Sequence, residues 1–438
     1  MTSLLTPSPS LEHAERPSAL ETPTAAPAPR EKPARLASLD AYRGAIMLFM
    51  ASNGLALPAV AKHFPDSPVW RFLAFNTEHV PWVGCSLWDL IQPSFMFMVG
   101  VAMPYSIASR RARGDSEIKI VAHVLYRALI LVALAVFLYS QGHQRTNFVF
   151  INVLGQIGLG YAFLYPLLGR SLRVQLVVLA CLLFGYWLLF FLWPLPGPDF
   201  DFQSVGLPKD WEPLTGFFAH WNKNTNAAAD LDVRFLNLFP RDKPFVFEAG
   251  GYQTLNFVPS LGTMILGLMA GELLRKPLNK WRKLGWLLVS ALICLGLGWL
   301  AGDYICPIVK RIWTPSWVLF SAGWTFTMLA GFFFVIDIVG LRRWAFPLIV
   351  VGMNSIAMYL MANLIAGWIA RSLQIHLGPL ALPGLTYVVK PVLGWMNVAV
   401  DPLWLNNTFG PITQMAAVLF ILWLICLWMY RRGIFLRI

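Results

Sequence analysis

The chain has 438 residues, of which 57% are hydrophobic and only 13% are charged. Soluble proteins carry charge on about a quarter of their residues, so the composition excludes an ordinary water-soluble enzyme and indicates a chain that lies in lipid. The formal net charge of +12 does not indicate a nucleic acid partner, because the basic residues lie mostly in short loops between apolar segments, where they orient membrane helices.

The first 35 residues are rich in Pro, Ala, Ser and Thr and lack the apolar core of a signal peptide. A segment of this composition cannot bury enough apolar surface to fold. We therefore predict a disordered cytoplasmic tail over 1–35 and one transmembrane domain over 36–438.

Ten apolar segments follow, each long enough to cross a hydrocarbon core of about 30 Å. The predicted fold class is all-α, a polytopic membrane helix bundle of about ten transmembrane helices. The predicted spans are 38–60, 88–109, 118–140, 148–169, 172–194, 254–275, 282–301, 315–338, 345–372 and 410–431.

Basic residues lie before the first span and after every even-numbered span. With ten spans these loops all fall on one side of the bilayer, which the excess of Lys and Arg predicts to be cytoplasmic. Both termini are then cytoplasmic, and the loop before the second span is external. The basic residues are Arg30, Lys32, Arg35, Arg110, Arg111, Arg113, Lys119, Arg170, Arg173, Arg275, Lys276, Lys280, Arg282, Lys283, Arg342, Arg343, Arg431, Arg432 and Arg437.

The first span opens on Ser38, with Asp40 and Arg43 three residues apart on its first turn. This spacing is typical of a helix cap with a local ion pair. In the alternative interpretation, Arg43 contacts a phosphate that enters from the cytoplasmic side. Asn53 lies toward the external end of the same span. An amide at this depth needs a partner or an aqueous cavity.

The segment 76–100, NTEHVPWVGCSLWDLIQPSFMFMVG, joins a turn-rich loop to the second span. His79 precedes Pro81 and Trp82, which restrict the backbone and shield the ring, and Asp89 follows ten residues later. A carboxylate that holds an imidazole in one tautomer makes a competent general base. The alternative interpretation is a histidine that is solvated or bonded locally.

Polar residues recur inside other predicted spans. Three pairs stand out: His123 with Arg127, Asn152 with Gln156, and Asn354 with Ser355. Such groups line a solvated cavity or form hydrogen bonds between helices, and either role is compatible with each pair alone. Together with the first two spans they favour a cavity.

Two longer external segments are predicted at 195–253 and 373–409. The first is acidic and aromatic, which is compatible with binding a sugar or amine and equally with a solvated cap. The second carries Trp395 and Trp404 and is predicted to lie at the interface or form a partial re-entrant turn. The five cysteines have no metal-ligand spacing, so neither a metal site nor a disulfide framework is predicted; they are Cys85, Cys181, Cys294, Cys306 and Cys426.

Three motifs resemble one known family. LDAYRG (39–44), EHVPWVGCSLWDLIQPSFMFMVG (78–100) and VGMNSIAMYL (351–360) occur in the order seen in transmembrane acetyltransferases typified by lysosomal heparan-alpha-glucosaminide N-acetyltransferase. The resemblance covers about 36–438. It implies transfer of an acetyl group from cytoplasmic acetyl-CoA to an acceptor amine across the membrane, by a bundle that forms a homodimer.

The resemblance also implies roles for single residues. His79 matches the family's active-site histidine, Asn53 the amide upstream of it, and Asp89 the Asp-Leu position. Asn354 and Ser355 match the Asn-Ser pair and are expected at the cavity with Asn152. The CoA phosphates are expected near basic and amide groups at and inside the cytoplasmic mouth, namely Arg43, Arg110, Arg111, Arg127 and Gln156.

The chain departs from the family pattern at Val83, at the residues that flank Pro93, and at Gly155-Gln156, where Gln-Arg is usual. Arg127 or Arg43 is expected to replace the missing arginine. The expected acceptor is an amine or hydroxyl of an envelope sugar at a bacterial inner membrane. Two alternatives remain open: a transporter or flippase-like protein for an envelope precursor, and a relative that has lost activity.

Overall fold

The computed structural model describes residues 36–378 and 402–436. The predicted tail 1–35 and residues 379–401 of the second external segment lie outside the described residues. Within the described ranges the chain is helical, with one isolated bridge between Val83 and Val309 in place of a sheet, which confirms the all-α fold class. The helices are α1 (Ala37–Ala51), α2 (Leu57–Ala61), α3 (Pro68–Phe75), α4 (Ile91–Ala112), α5 (Glu117–Tyr139), α6 (Val153–Leu164), α7 (Leu172–Phe191), α8 (Ala227–Leu236), α9 (Phe257–Arg275), α10 (Lys280–Tyr304), α11 (Pro315–Phe332), α12 (Phe346–Met353), α13 (Ser355–Leu364), α14 (366–378) and α15 (Pro402–Arg431).

Membrane-length apolar helices make up most of the described bundle. Seven described helices are long and apolar enough to cross a membrane, and nine if each of two bent pairs counts as one span. The segment predicted as span 148–169 is shorter, with an apolar helix over Val153–Leu167. It is shorter because Asn152 adopts an extended conformation and caps α6, its Oδ1 accepting a hydrogen bond from Gly155 N at 2.9 Å.

The spans predicted at 38–60 and 345–372 are both broken. In the first, α1 ends before a turn whose residues Asn53, Gly54, Leu55 and Ala56 all have φ between +47° and +61°, and the chain bends by 44°. In the second, the chain bends by 69° between Arg343–Met353 and Ser355–Leu364. Left-handed backbone at non-glycine residues is strained, so such turns persist only where the surrounding packing holds them.

The close approach of α4 and α9 sets the register of the bundle core. A Cβ atom at Gly100 would meet the backbone of Met264, and one at Gly267 would meet the backbone of Phe97. Small residues let membrane helices pack at backbone contact distance. Because α4 begins just after Asp89 and α9 just after Tyr252, this packing also fixes those two residues relative to each other.

Replacing Gly267 with leucine is expected to separate α4 from α9 and lower the melting temperature of the detergent-solubilised protein, since overpacking a tight core costs about 1–3 kcal/mol. Gly296→Leu is the matched control, because Gly296 lies in α10 with open space around its Cβ position. Equal melting temperatures for the two variants would contradict the tight α4–α9 contact.

The basic loops meet at one end of the bundle. Tyr165 donates to Glu117 at 2.9 Å, Gly169 N donates to Glu272 at 2.8 Å, and Arg275 donates to the Pro104 carbonyl at 2.8 Å. We call this the basic end. His79, Tyr252 and Lys310 lie at the opposite end, where the segment 195–253 folds over the helices.

Candidate active site

His79 and Asp89 are in hydrogen-bond contact at this opposite end. His79 Nδ1 lies 2.7 Å from Asp89 Oδ1. The Asp89 side chain is 1% exposed, whereas 36% of the His79 side chain is exposed. Since a carboxylate only accepts hydrogen bonds, Nδ1 carries the ring proton and Nε2 keeps a lone pair.

Local sequence explains why Asp89 points back at His79. Ser86 and Asp89 form a reciprocal capping box ahead of α4: Ser86 N donates to Asp89 Oδ2 at 3.1 Å, and Asp89 N donates to Ser86 Oγ at 3.3 Å. Val80 N donates to the same carboxylate oxygen at 3.2 Å. These bonds fold the loop back on the helix start, so residues ten positions apart meet.

Lys310 completes the cluster and comes from a distant part of the chain. Its Nζ lies 3.3 Å from Asp89 Oδ1 and 3.0 Å from His79 Nδ1. The side chain is 4% exposed. Gly84 N donates to Ile308 O at 2.9 Å, and the Val83–Val309 bridge lies beside it. This pairing joins the Lys310 loop to the His79 loop.

Burial and nearby positive charge favour the neutral form of His79. Burial lowers the pKa of the His79 imidazole below its ordinary value; the hydrogen bond to Asp89 opposes this shift, and the positive charge of Lys310 adds to it. Burial also raises the pKa of the neighbouring Cys85 thiol to about 12, so that cysteine is not a thiolate nucleophile at neutral pH. The cluster therefore offers a neutral imidazole as its base.

A cavity of about 610 Å³ opens beside His79. Its volume falls in the range of small-molecule sites. Amide and phenol groups from six parts of the chain surround it, while Met50, Trp88 and Met415 supply part of its apolar wall. The polar lining residues are Asn53, His79, Gln92, Tyr139, Asn152, Tyr252, Lys310, Tyr359 and Asn363.

Asn53 reaches this cavity from the left-handed turn after α1. It has φ of +47° and is exposed. Asparagine tolerates this conformation better than most residues. The break in the first span therefore presents an amide to the cavity that His79 also lines.

The other predicted amides have different surroundings. Asn152 lines the cavity, but its side chain also caps α6 and donates to Ala135 O at 3.1 Å. Gln156 is buried and donates to the carbonyls of Phe150 and Thr254. Asn354 lies away from the cavity lining, where it donates to Ile434 O at 3.1 Å and accepts from Leu436 N at 3.2 Å, and Ser355 begins α13.

The four predicted phosphate-binding arginines all have protein partners in this structure. Arg127 lies over the Tyr161 ring at 4.7 Å. Arg43 pairs with Asp40 at 3.8 Å, Arg110 with Asp115 at 3.3 Å, and Arg111 with Glu117 at 2.7 Å. A second cavity of about 460 Å³ opens at the basic end, lined by Pro104, Ala108, Arg111, Leu168, Gly169, Glu272, Arg275 and Lys276.

The segment 195–253 forms a packed cap, and several of its acidic and aromatic residues are structural. Trp221 is fully buried, and its carbonyl accepts a hydrogen bond from Trp82 at 3.0 Å. Asp230 pairs with Arg234 and Asp242 with Arg145, both at 2.9 Å. Trp221 thus belongs to the core of the cap, whereas the two ion pairs are exposed on its surface.

Asp232 in α8 predicts a pH dependence of stability. Burial raises the pKa of its carboxyl to about 6, against the hydrogen bond from Thr254 N. The folded protein then binds this proton more tightly than the unfolded chain, so stability falls as the pH rises from about 4 to about 6. Melting temperatures measured over that range should fall less in Asp232→Asn; an unchanged pH dependence would contradict the assignment.

Sequence reasoning missed Lys310 and Tyr252. One signal was available for the lysine: Lys310 and Arg311 lie in a short loop on the predicted external side, where few basic residues are expected. Arg311 donates to Gly250 O at 2.5 Å, which ties this loop to the residues before Tyr252. Among residues 36–378 and 402–436, no group of three or more His, Cys, Asp or Glu side chains is arranged to hold a metal ion.

Comparison with known proteins confirms the resemblance inferred from the motifs. The chain is 24% identical to heparan-alpha-glucosaminide N-acetyltransferase from Homo sapiens over 369 residues, which cover 75% of this chain and 52% of the human protein. The enzyme of the same name from Mus musculus is 24% identical over 366 residues, covering 74% of this chain and 53% of the mouse protein. The chain thus spans about half the length of the curated relatives it matches. No family model matches it.

Proposed function

We propose that this protein is a transmembrane acetyltransferase that moves the acetyl group of cytoplasmic acetyl-CoA to an amine or hydroxyl of an external sugar. The observation that carries the proposal is the His79–Asp89 pair at the wall of a polar cavity between membrane-length helices. The similarity to two N-acetyltransferases supports the same reaction class.

In the proposed reaction, His79 is the general base. Nε2 takes a proton from the acceptor nitrogen or oxygen as that atom bonds to the thioester carbon, and the carbonyl electron pair moves to oxygen. When the tetrahedral intermediate collapses, the C–S bond breaks, and the thiolate of CoA takes the proton back from Nε2. Asn53 is proposed to orient the carbonyl or donate to the developing oxyanion.

A second scheme gives the same overall reaction in two transfer steps. His79 Nε2 attacks the thioester carbon first, CoA leaves, and the acceptor then attacks the acetyl-imidazole. Asp89 holds the Nδ1 proton in both schemes. Trapping labelled acetate on His79 in the absence of acceptor, followed by peptide mapping, distinguishes this route from direct transfer.

The donor is proposed to enter from the basic end. Arg43 precedes Asn53 by ten residues, which corresponds to about 15 Å along a helix. A donor whose phosphates lie near Arg43, Arg110, Arg111 or Arg127 would extend its thioester along α1 toward Asn53 and His79. Side-chain rearrangement is part of this proposal, because the four arginines have partners in this structure. We assign the basic end to the cytoplasm and the His79 end to the outside of a bacterial inner membrane.

Reconstitution tests the proposal. Proteoliposomes that contain the protein are given labelled acetyl-CoA on one side and glucosamine on the other, and acetylated sugar is measured. We expect product with the wild-type protein and a loss of product with His79→Ala. His143→Ala is the matched control, because His143 lies in an exposed loop after α5. Full activity in His79→Ala would sink the assignment. Comparing acetylation of surface glycans in cells with and without the protein would identify the acceptor.

One observation favours a transporter or flippase-like protein as the second candidate. Both broken spans lie near the polar cavity, since Asn53 belongs to one and Tyr359 to the other. Interrupted helices that line a cavity are typical of transport sites. This candidate predicts substrate flux without acyl-CoA, and a measured lack of acetyl-CoA binding would favour it. A relative that has lost activity would bind neither CoA nor a glycan.

A further inference from the structure

Lys310 has no role in the reaction proposed above, yet it lies in contact with both members of the catalytic pair. Its Nζ is 3.3 Å from Asp89 Oδ1, and 3.0 and 3.5 Å from the two ring nitrogens of His79. Only 4% of the lysine side chain is exposed. An ammonium group so deeply buried is costly unless it is paired, and Asp89 is the partner that provides the opposite charge.

Hydrogen-bond counting shows how the three groups are connected. His79 Nδ1 donates to Asp89 Oδ1, so it cannot also accept a hydrogen bond from the ammonium group of Lys310. Nε2 keeps a lone pair but lies 3.5 Å from Nζ, at the limit of a hydrogen bond, so Lys310 acts on the imidazole chiefly as a nearby charge. A cation at 3.0 Å disfavours a second positive charge on that ring.

We infer that Lys310 is a positioning residue, which acts through the Asp89 carboxylate and its own charge to keep His79 as the neutral Nδ1–H tautomer with Nε2 available for the cavity. The inference deepens the proposed function and rests on it. In the transfer step, Nε2 takes the proton from the nitrogen or oxygen of the acceptor sugar. The ring becomes an imidazolium, which lies between Asp89 and Lys310. The nearby ammonium makes that imidazolium a stronger acid, so it returns the proton more readily to the sulfur of departing CoA.

Charged and titratable groups face His79 from three parts of the described chain. Asp89 faces it from the turn before α4, Lys310 and Arg311 from the loop between α10 and α11, and Tyr252 from the loop before α9. Burial and the two cations lower the pKa of His79, and the Asp89 carboxylate opposes them. Removing the ammonium of Lys310 leaves the carboxylate in place, so protonation of His79 should become easier.

The test follows the protonation of His79 directly. Diethyl pyrocarbonate reacts with neutral imidazole, and mass spectrometry of the His79 peptide gives its rate of modification at each pH. The pH at which this rate is half its maximum gives the midpoint of His79 protonation. In the wild type we expect this midpoint to lie below that of N-acetylhistidine amide in the same detergent buffer. In Lys310→Met the midpoint should rise by about one pH unit, and the acid limb of the acetyl-transfer rate should move in the same direction. Lys310→Arg retains the cation and should retain the midpoint.

The outcomes separate this inference from the proposed function. A His79 midpoint that stays the same in Lys310→Met overturns the inference, whatever the activity. If Lys310→Met does not fold, Lys310→Gln replaces it. The wild type alone also tests the inference: a His79 midpoint at or above that of N-acetylhistidine amide overturns it. A shifted midpoint in a protein that transfers no acetyl group would refute the proposed function while supporting the control of His79 by Lys310.

Discussion

Replacing His79 with alanine is expected to lower acetyl transfer by about 10²–10⁴-fold, the usual contribution of a general base. The loss should fall on the turnover rate, because the imidazole is proposed to act on the proton of the acceptor. Binding of acetyl-CoA should change little, since the phosphates are proposed to lie toward the basic end. Rates in proteoliposomes and binding by calorimetry measure the two effects separately.

The activity of His79→Ala should be partly restored by added imidazole, because the cavity beside His79 is about 610 Å³ and admits a small base. His143→Ala serves as the control for loss of an exposed histidine. Equal loss in both variants would indicate a general effect on the protein instead of a catalytic role for His79.

Replacing Asp89 with asparagine is expected to affect both activity and stability. Without the carboxylate, the imidazole loses the acceptor that holds its proton on Nδ1, and by analogy with other histidine–aspartate pairs the rate should fall by about 10⁴-fold. The same change leaves the buried Lys310 ammonium without its counter-charge. Removing one partner of a buried ion pair costs about 3–5 kcal/mol, so the melting temperature should also fall.

A double variant distinguishes these two effects. Asp89→Asn combined with Lys310→Met removes both charges, so it should be more stable than Asp89→Asn alone while remaining inactive. Melting temperatures of the wild type, the two single variants and the double variant form the cycle that measures the coupling. Additive losses would show that Asp89 and Lys310 are not energetically paired.

Part of the site is local and was therefore predictable. His79 and Asp89 are ten residues apart, and the Ser86–Asp89 capping box that joins them is a short motif. The amide of Asn53 was predicted to need a cavity, and it lines one. The left-handed turn that presents Asn53 was not predicted, since its backbone is held by packing instead of by the preference of its residues.

Polar residues inside the spans were harder to interpret. A buried amide satisfies its hydrogen bonds with whichever group the fold brings near, and sequence does not reveal that group. Asn152 uses its side chain as a helix cap at the cavity wall, Gln156 bonds two carbonyls, and Asn354 bonds the backbone near the end of α15. The spacing of Asn152 and Gln156 indicated a shared role, but in the tertiary structure only Asn152 lines the cavity.

The sequence by itself determined the solvent and the building blocks of this protein. Long apolar segments require lipid and helix, because unpaired backbone groups are too costly in hydrocarbon, and a short polar motif placed His79 in the loop before the second span. Only the tertiary structure decided what surrounds that histidine. Lys310 is 231 residues from His79 along the chain, and the contact depends on the pairing of two loops and the packing of the helices that carry them. Because charge acts through space, a residue that no local pattern connects to His79 contributes to the pKa of its imidazole, together with burial and Asp89.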